Sequence, residues 1–184
     1  PFPEFLSPAD VDRLLQAPDL STPTGLRDRA MMELIYASGI QVKELLALHP
    51  WQINFKKSRL AVEGKDGTHR SVPLYPQCLQ LLQRYCREVL TALPSAGEGT
   101  SQDLLFRNLE GRSLSRQGFC KQVRKYAAKA GLGEGATAKA LRQSFAAHLL
   151  QSGAPIQNVQ VLVGHLTPQS TAFYHNAVRH AART

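Results

Sequence analysis

Four polar side chains near the end of the chain have the types and spacing that phosphate chemistry requires. Lys139 and Arg142 are cations three residues apart, so both can point from the same edge of a helix. His165 follows a glycine, and Tyr174 comes nine residues after it. Catalysts of phosphoryl transfer place cations around oxygens where charge develops and hold a nucleophile in line with them. The stretch from 138 to 175 can supply both, although a lone Tyr on a helix is usually a core residue.

The spacing of apolar residues predicts which helices carry these four side chains. Apolar residues recur at intervals of three and four, with glycine stops between the segments. The predicted helices run from about 138 to 151, from 155 to 164, and onward from Thr167. His165 therefore lies just past a helix end, and Tyr174 lies on the last helix.

The elements before this stretch are predicted from helix-capping residues and from the spacing of apolar residues, which changes from a helical to an alternating pattern. Five helices are expected before residue 131. The first starts at Ser7, the second and third run over about 26–37 and 41–48, the fourth starts at Pro76, and the fifth runs from Ser113 or Ser115 to about 130. On the second of these, the charged residues Arg27, Asp28, Arg29 and Glu33 are expected to face outward. Three short strands are expected at 52–55, 59–63 and 70–74, with Lys65 at a hairpin tip. The sequence thus predicts an α+β fold: one mainly helical domain over 1–184, with a small three-stranded antiparallel sheet near its N-terminal third.

The charge of the chain favours a polyanionic partner. Lys and Arg number 22 against 14 Asp and Glu, a formal net charge of +8. On the predicted helix that ends near residue 130, Lys121, Arg124, Lys125 and Lys129 form a basic face that would suit a duplex groove. A basic but merely solvated surface is the alternative.

The remaining composition argues against several other classes. The cysteines at 78, 86 and 120 form no Cys-x-x-Cys pair, so neither a disulfide framework nor a zinc site is indicated. No apolar run approaches the ~18 residues that a membrane span needs, and the first residues lack the pattern of a signal peptide. We therefore expect a cytoplasmic protein with no membrane partner and no small-molecule substrate. Because the first residue is Pro1 rather than Met, we expect these residues to be a fragment of a longer protein whose upstream partner domain has been removed.

Several motifs in order resemble the catalytic signature of tyrosine recombinases, the family of phage integrases, Xer-type resolvases and integron integrases. The run LRQSFAAHLL at 141–150, the VGH at 163–165 and Tyr174 carry the resemblance. Upstream, GLRDRA at 25–30 resembles the family's opening helix, SGIQVKEL at 38–45 its first catalytic box, and VEGK at 62–65 its β-hairpin lysine.

The resemblance implies a specific reaction on double-stranded DNA. A tyrosine attacks a DNA phosphate, forms a 3′-phosphotyrosyl link and releases a 5′-hydroxyl, which later reverses the step on a partner strand. By residue matching, Tyr174 is the nucleophile and Arg142 holds the non-bridging oxygens. His165 adds a hydrogen bond to the same phosphate, and Lys65 protonates the leaving oxygen. The reaction needs no metal or nucleotide cofactor, and self-association on DNA is expected.

Two positions depart from the family pattern. Gln41 stands where the family has its first arginine, and Lys139 stands where it usually has a histidine. A neutral amide cannot form the charged fork that suits a phosphate, whereas Lys139 could restore part of the charge. Three interpretations stay open: an active site-specific recombinase, a degenerate member that binds DNA and partners but cuts poorly or not at all, and a helical DNA-binding regulator without catalysis.

Overall fold

The computed structural model describes residues 5–64, 66–95, 103–164 and 168–181. In chain order the elements are α1 (Pro8–Gln16), α2 (Pro23–Ser38), α3 (Val42–Leu46), β1 (Ile53–Asn54), β2 (Arg59–Glu63), β3 (His69–Pro73), α4 (Pro76–Glu88), α5 (Arg116–Lys129), α6 (Ala138–Gln151), α7 (Ile156–Val163) and α8 (Pro168–Ala181), with short 3-10 turns at Pro50–Gln52 and Leu90–Ala92. The strands form one antiparallel sheet in the order β1-β2-β3. The predicted α+β fold with a small three-stranded sheet is confirmed.

Side-chain caps fix where α1 and α6 begin, and the cap at Ser7 confirms the helix start expected there. The Ser7 hydroxyl accepts a hydrogen bond from the Asp10 amide at 3.1 Å, and the Thr137 hydroxyl accepts one from the Ala140 amide at 3.1 Å. Each bond satisfies an amide that has no partner within the first helical turn. The cap at Thr137 sets the start of α6, which carries the candidate site.

Helix α6 lies between two hydrophobic clusters. The larger cluster contains buried residues of α1 to α5 and of the sheet, and Leu141 of α6 belongs to it. The smaller cluster contains Ala146, Ala147 and Leu150 of α6, together with residues of α7 and α8. Since one helix contributes to both clusters, the packing of α7 and α8 is fixed relative to the rest of the domain.

The outward orientation expected for the charges of α2 is wrong for three of the four. Arg27, Asp28 and Glu33 are only 8%, 1% and 3% exposed. Asp28 accepts hydrogen bonds from the Arg27 guanidinium at 2.7 and 2.9 Å and from the Tyr126 hydroxyl at 2.7 Å. Glu33 accepts bonds from Arg29 and Tyr75. Burial is tolerated because each carboxylate is paired and hydrogen-bonded.

Within the described ranges, no helix has both the length and the apolar character required to traverse a lipid bilayer.

Candidate active site

The guanidinium of Arg142 links the ends of two helices. Its Nε donates to the carbonyl of Gly39 at 2.8 Å, and its Nη2 donates to the carbonyl of Val163 at 2.9 Å. Gly39 follows α2, and Val163 is the last residue of α7. Carbonyls at a helix C-terminus lack intrahelical partners and carry the negative end of the helix dipole, so they hold a cation well. Arg142 is therefore fixed in place by backbone groups that are 103 and 21 residues away in sequence.

Two glycines allow these helix ends to approach the site. Gly39 and Gly164 both have left-handed backbones, with φ of 65° and 69°. A Cβ at Gly39 would lie 2.6 Å from Cδ1 of Phe145 and 2.8 Å from Cγ1 of Val163. A Cβ at Gly164 would lie 2.8 Å from Nη1 of Arg70. Both the backbone conformation and the close packing therefore require glycine.

Tyr174 lies on α8 within the smaller hydrophobic cluster and is 1% exposed. Burial raises the pKa of its phenol to about 12, and the nearby positive charge of Arg142 partly opposes this rise. Burial likewise lowers the pKa of the Arg142 guanidinium, while the negative charges of Tyr174, when ionised, and Glu44 act in the opposite direction. The charges of the predicted nucleophile and of the predicted phosphate-binding arginine thus influence each other's pKa.

Of the other predicted site residues, the structure describes Lys139 but not His165 or Lys65. Lys139 lies in the first turn of α6 with an exposed side chain, and it forms no hydrogen bond or ion pair within the described part of the chain. His165 and Lys65 lie outside the described residues. Gln41 is half-buried at the N-terminus of α3, where its backbone amide donates to Oε2 of Glu44 at 2.9 Å.

Sequence reasoning missed an ion pair beside this site. Arg70 of β3 donates from Nη1 and Nη2 to the two carboxylate oxygens of Glu44 at 2.9 and 2.8 Å, and from Nε to the carbonyl of Leu162 at 2.9 Å. The side chains of Arg70 and Glu44 are 11% and 14% exposed. Burial alone would raise the pKa of Glu44, but the bonds from Arg70 and the Gln41 amide, with the charges of Arg70 and Arg142, lower it.

Strand alternation contained a signal for this pair. Arg70 lies two residues before the buried Val72 on β3, so the two side chains share the inward face of the sheet. An arginine on an inward face requires a partner. The pattern does not identify Glu44 as that partner, because α3 packs beside β3 only in the folded chain.

The described groups form a charged site at the C-terminal end of α7. Two guanidiniums bond to the consecutive carbonyls of Leu162 and Val163, one carboxylate neutralises part of their charge, and a phenol lies beside Arg142. A guanidinium held in this way can bind a phosphate oxygen without reorganising, and a phenol next to it can act as a nucleophile once ionised.

Comparisons with known proteins identify the relatives of this chain. A family model described as the phage integrase family matches residues 4–180. Tyrosine recombinase XerD of Pseudomonas aeruginosa is 39% identical over 179 residues, which are 97% of this chain and 59% of that protein. Tyrosine recombinase XerC of a Roseiflexus species is 40% identical over 181 residues, which are 98% of this chain and 57% of that protein. The chain therefore spans less than two thirds of the length of these relatives.

Solved structures share the same fold. A crystal structure of the XerH site-specific recombinase, bound to a palindromic difH substrate as a post-cleavage complex, superposes with a TM-score of 0.84. The match has 25% sequence identity and covers 99% of this chain and 52% of that one. Because the family model matches residues 4–180 and relatives of 39% and 40% identity align over almost the whole chain, this chain belongs to the phage integrase family, the family of tyrosine recombinases.

Proposed function

We propose that this chain is the catalytic domain of a site-specific DNA recombinase that breaks and rejoins strands through a 3′-phosphotyrosyl intermediate. The oxygen of Tyr174 attacks the phosphorus, the bond from phosphorus to the 5′ oxygen breaks, and the strand stays linked to the protein. The phenol proton is released to water, and Lys65 gives a proton to the leaving 5′ oxygen. Arg142 and His165 bind the non-bridging oxygens, and Lys139 adds positive charge.

The observation that carries this proposal is the fixed guanidinium of Arg142 beside the buried phenol of Tyr174. Hydrogen bonds to Gly39 and Val163 hold Arg142, and its charge acts on Tyr174 directly. Preorganised charge stabilises a transition state because no reorganisation is needed as the reaction proceeds. A tyrosine that served only the core would not require a buried cation next to it, since burying a charge is costly.

Double-stranded DNA is the proposed substrate, and the protein is proposed to assemble with copies of itself on it. The net charge of +8 provides attraction to phosphates. The relatives extend well beyond the aligned region, which supports an additional domain that clamps the duplex together with this one.

A second candidate function is DNA binding with little or no cleavage. It is favoured by Gln41, which places no charge at the N-terminus of α3. If nothing compensates, the rate falls on the order of 10²- to 10³-fold, the cost of removing one donor to the developing oxyanion. Arg142 would still bind phosphate in such a protein.

A nicked suicide duplex distinguishes these functions, because the cleaved end diffuses away and leaves the covalent adduct trapped. We expect an adduct with the parent chain and none with Tyr174→Phe. Tyr36→Phe is the matched control, since it removes a half-buried phenol that bonds to His148 of α6 at 2.7 Å, and it should retain the adduct. An adduct formed only by Gln41→Arg would favour the degenerate binder. Binding without an adduct in any variant would contradict the proposed reaction.

A further inference from the structure

We propose that Arg70 is a positioning residue for this site: it anchors the β2–β3 hairpin, which contains Lys65 between its strands, onto α3 and the end of α7. The inference rests on the proposed function, because it explains how the hairpin is held near the other catalytic groups. It concerns a side chain that lies outside the set of residues predicted to touch the phosphate.

The contacts of Arg70 join three separate elements. Its two bonds to Glu44 reach α3, which is 26 residues away in sequence, and its bond to Leu162 reaches α7, which is 92 residues away. Arg142 bonds to the next carbonyl, that of Val163. The hairpin and the phosphate-binding arginine are thus attached to neighbouring carbonyls of the same helix end.

The anchor lies close to the turn of the hairpin. Arg70 pairs with Val62 across the sheet, and the last register pair before the turn is Glu63 with His69. The amide of Gly64 donates to the carbonyl of Thr68 at 2.7 Å and closes the hairpin. Because Arg70 lies one residue from the last register pair, fixing its guanidinium holds the end of the sheet next to the turn.

The fork of an arginine is needed for this role. A bidentate pair with Glu44 and a third bond to Leu162 use donors on all three guanidinium nitrogens. A lysine keeps the charge, but its ammonium group is a single point of donation. It therefore cannot bond to the Glu44 carboxylate and to the Leu162 carbonyl in the geometry that the guanidinium allows. The space left by Gly164 is also matched to the guanidinium, since a Cβ there would lie 2.8 Å from Nη1.

The test compares Arg70→Met and Arg70→Lys with Arg59→Met as the matched control. Arg59 lies on β2 and is exposed, and within the described residues its guanidinium bonds only to the side chain and carbonyl of Ser71. Its loss removes the same charge from the same sheet without touching α3 or α7. Amide hydrogen exchange is measured on each folded protein. We expect exchange in β2, β3 and the last turn of α7 to become roughly tenfold or more faster in both Arg70 variants, with α4 and α5 unchanged and Arg59→Met like the parent.

Cleavage is then measured on an ordinary duplex and on one whose leaving 5′ oxygen is replaced by sulfur. A thiolate departs without receiving a proton, so the sulfur duplex does not depend on a positioned acid. We expect Arg70→Met and Arg70→Lys to cleave the ordinary duplex roughly 10²-fold more slowly than the parent, but the sulfur duplex less than about threefold more slowly. A variant that had merely lost structure would be impaired equally on both.

Unchanged exchange in the hairpin and α7 would overturn the anchor, and so would equal losses on the two duplexes. If the parent forms no adduct with either duplex, the proposed recombinase function fails, and the exchange measurement alone decides whether Arg70 anchors the hairpin.

Discussion

Gly39→Ala tests the packing that holds Arg142. The left-handed backbone of residue 39, with φ of 65°, costs an L-residue roughly 1–2 kcal/mol. The new methyl would also lie 2.6 Å from Cδ1 of Phe145 and 2.8 Å from Cγ1 of Val163, and overpacking of this kind costs about 1–3 kcal/mol. We therefore expect a loss of about 2–5 kcal/mol in the free energy of unfolding, and a fall in Tm of about 10 °C.

Gly153→Ala is the matched control for the backbone contribution. Gly153 also has a positive φ, 95°, but its Cβ would meet nothing within 4 Å. Its substitution should cost only the backbone strain, roughly 1–2 kcal/mol. The free energies of unfolding of both variants are measured by thermal and urea unfolding. The difference between their losses is the cost of the close contacts at residue 39.

Gly39→Ala should also slow cleavage. The carbonyls of Gly39 and Val163 are the two that bind Arg142, so a shift at Gly39 moves both. A displacement of this size at a positioning group can lower the rate by about 10²-fold. If Gly39→Ala is no less stable than Gly153→Ala and cleaves like the parent, the tight arrangement of α2, α6 and α7 described above is wrong.

Other changes test the electrostatics of the site. Arg142→Lys should keep most non-specific DNA affinity but cleave roughly 10²-fold more slowly, since an ammonium lacks the planar fork; filter binding and the suicide duplex measure the two effects. Folding lowers the pKa of Glu44, so its ionised carboxylate stabilises the folded state. This contribution to the free energy of unfolding is fully present above about pH 4.5 and is lost as the pH falls through the folded pKa. Glu44→Gln should thus cost about 2–3 kcal/mol in urea unfolding at pH 7, and this difference should shrink at acidic pH. In an ultraviolet difference titration against Tyr174→Phe, the phenol of Tyr174 should ionise near pH 12 rather than near 10. DNA binding by this chain alone should weaken linearly in log affinity with log salt, and tight binding at high salt would contradict the expected role of a second clamping domain.

Local sequence signals were sufficient for most of the elements. The bounds predicted for β2 and α6 agree with the structure, because strand alternation and the apolar spacing of a helix depend only on nearby residues. The helix predicted from residue 26 instead starts at Pro23, where Thr22 caps it. The helix predicted over 41–48 ends at Leu46. These errors are at element ends, where capping and short turns compete with periodicity.

Long-range polar pairs could not be predicted from local pattern. Local pattern predicts that a polar residue on α2 faces solvent. Asp28 is nevertheless buried, because Tyr126, which is 98 residues away, donates a hydrogen bond to it. The motif resemblance predicted Arg142 and Tyr174 as site residues, but it gave no information on the backbone carbonyls that fix Arg142. Those contacts depend on how α2 and α7 end against α6, which is a property of the packed domain.

The most direct test of the central claim is to identify the residue that carries the DNA. After trapping on a nicked duplex, nuclease and protease digestion followed by mass spectrometry locates the residual nucleotide. We expect a 3′-linked nucleotide on Tyr174. A nucleotide attached to any other side chain, or linked through its 5′ end, would contradict it.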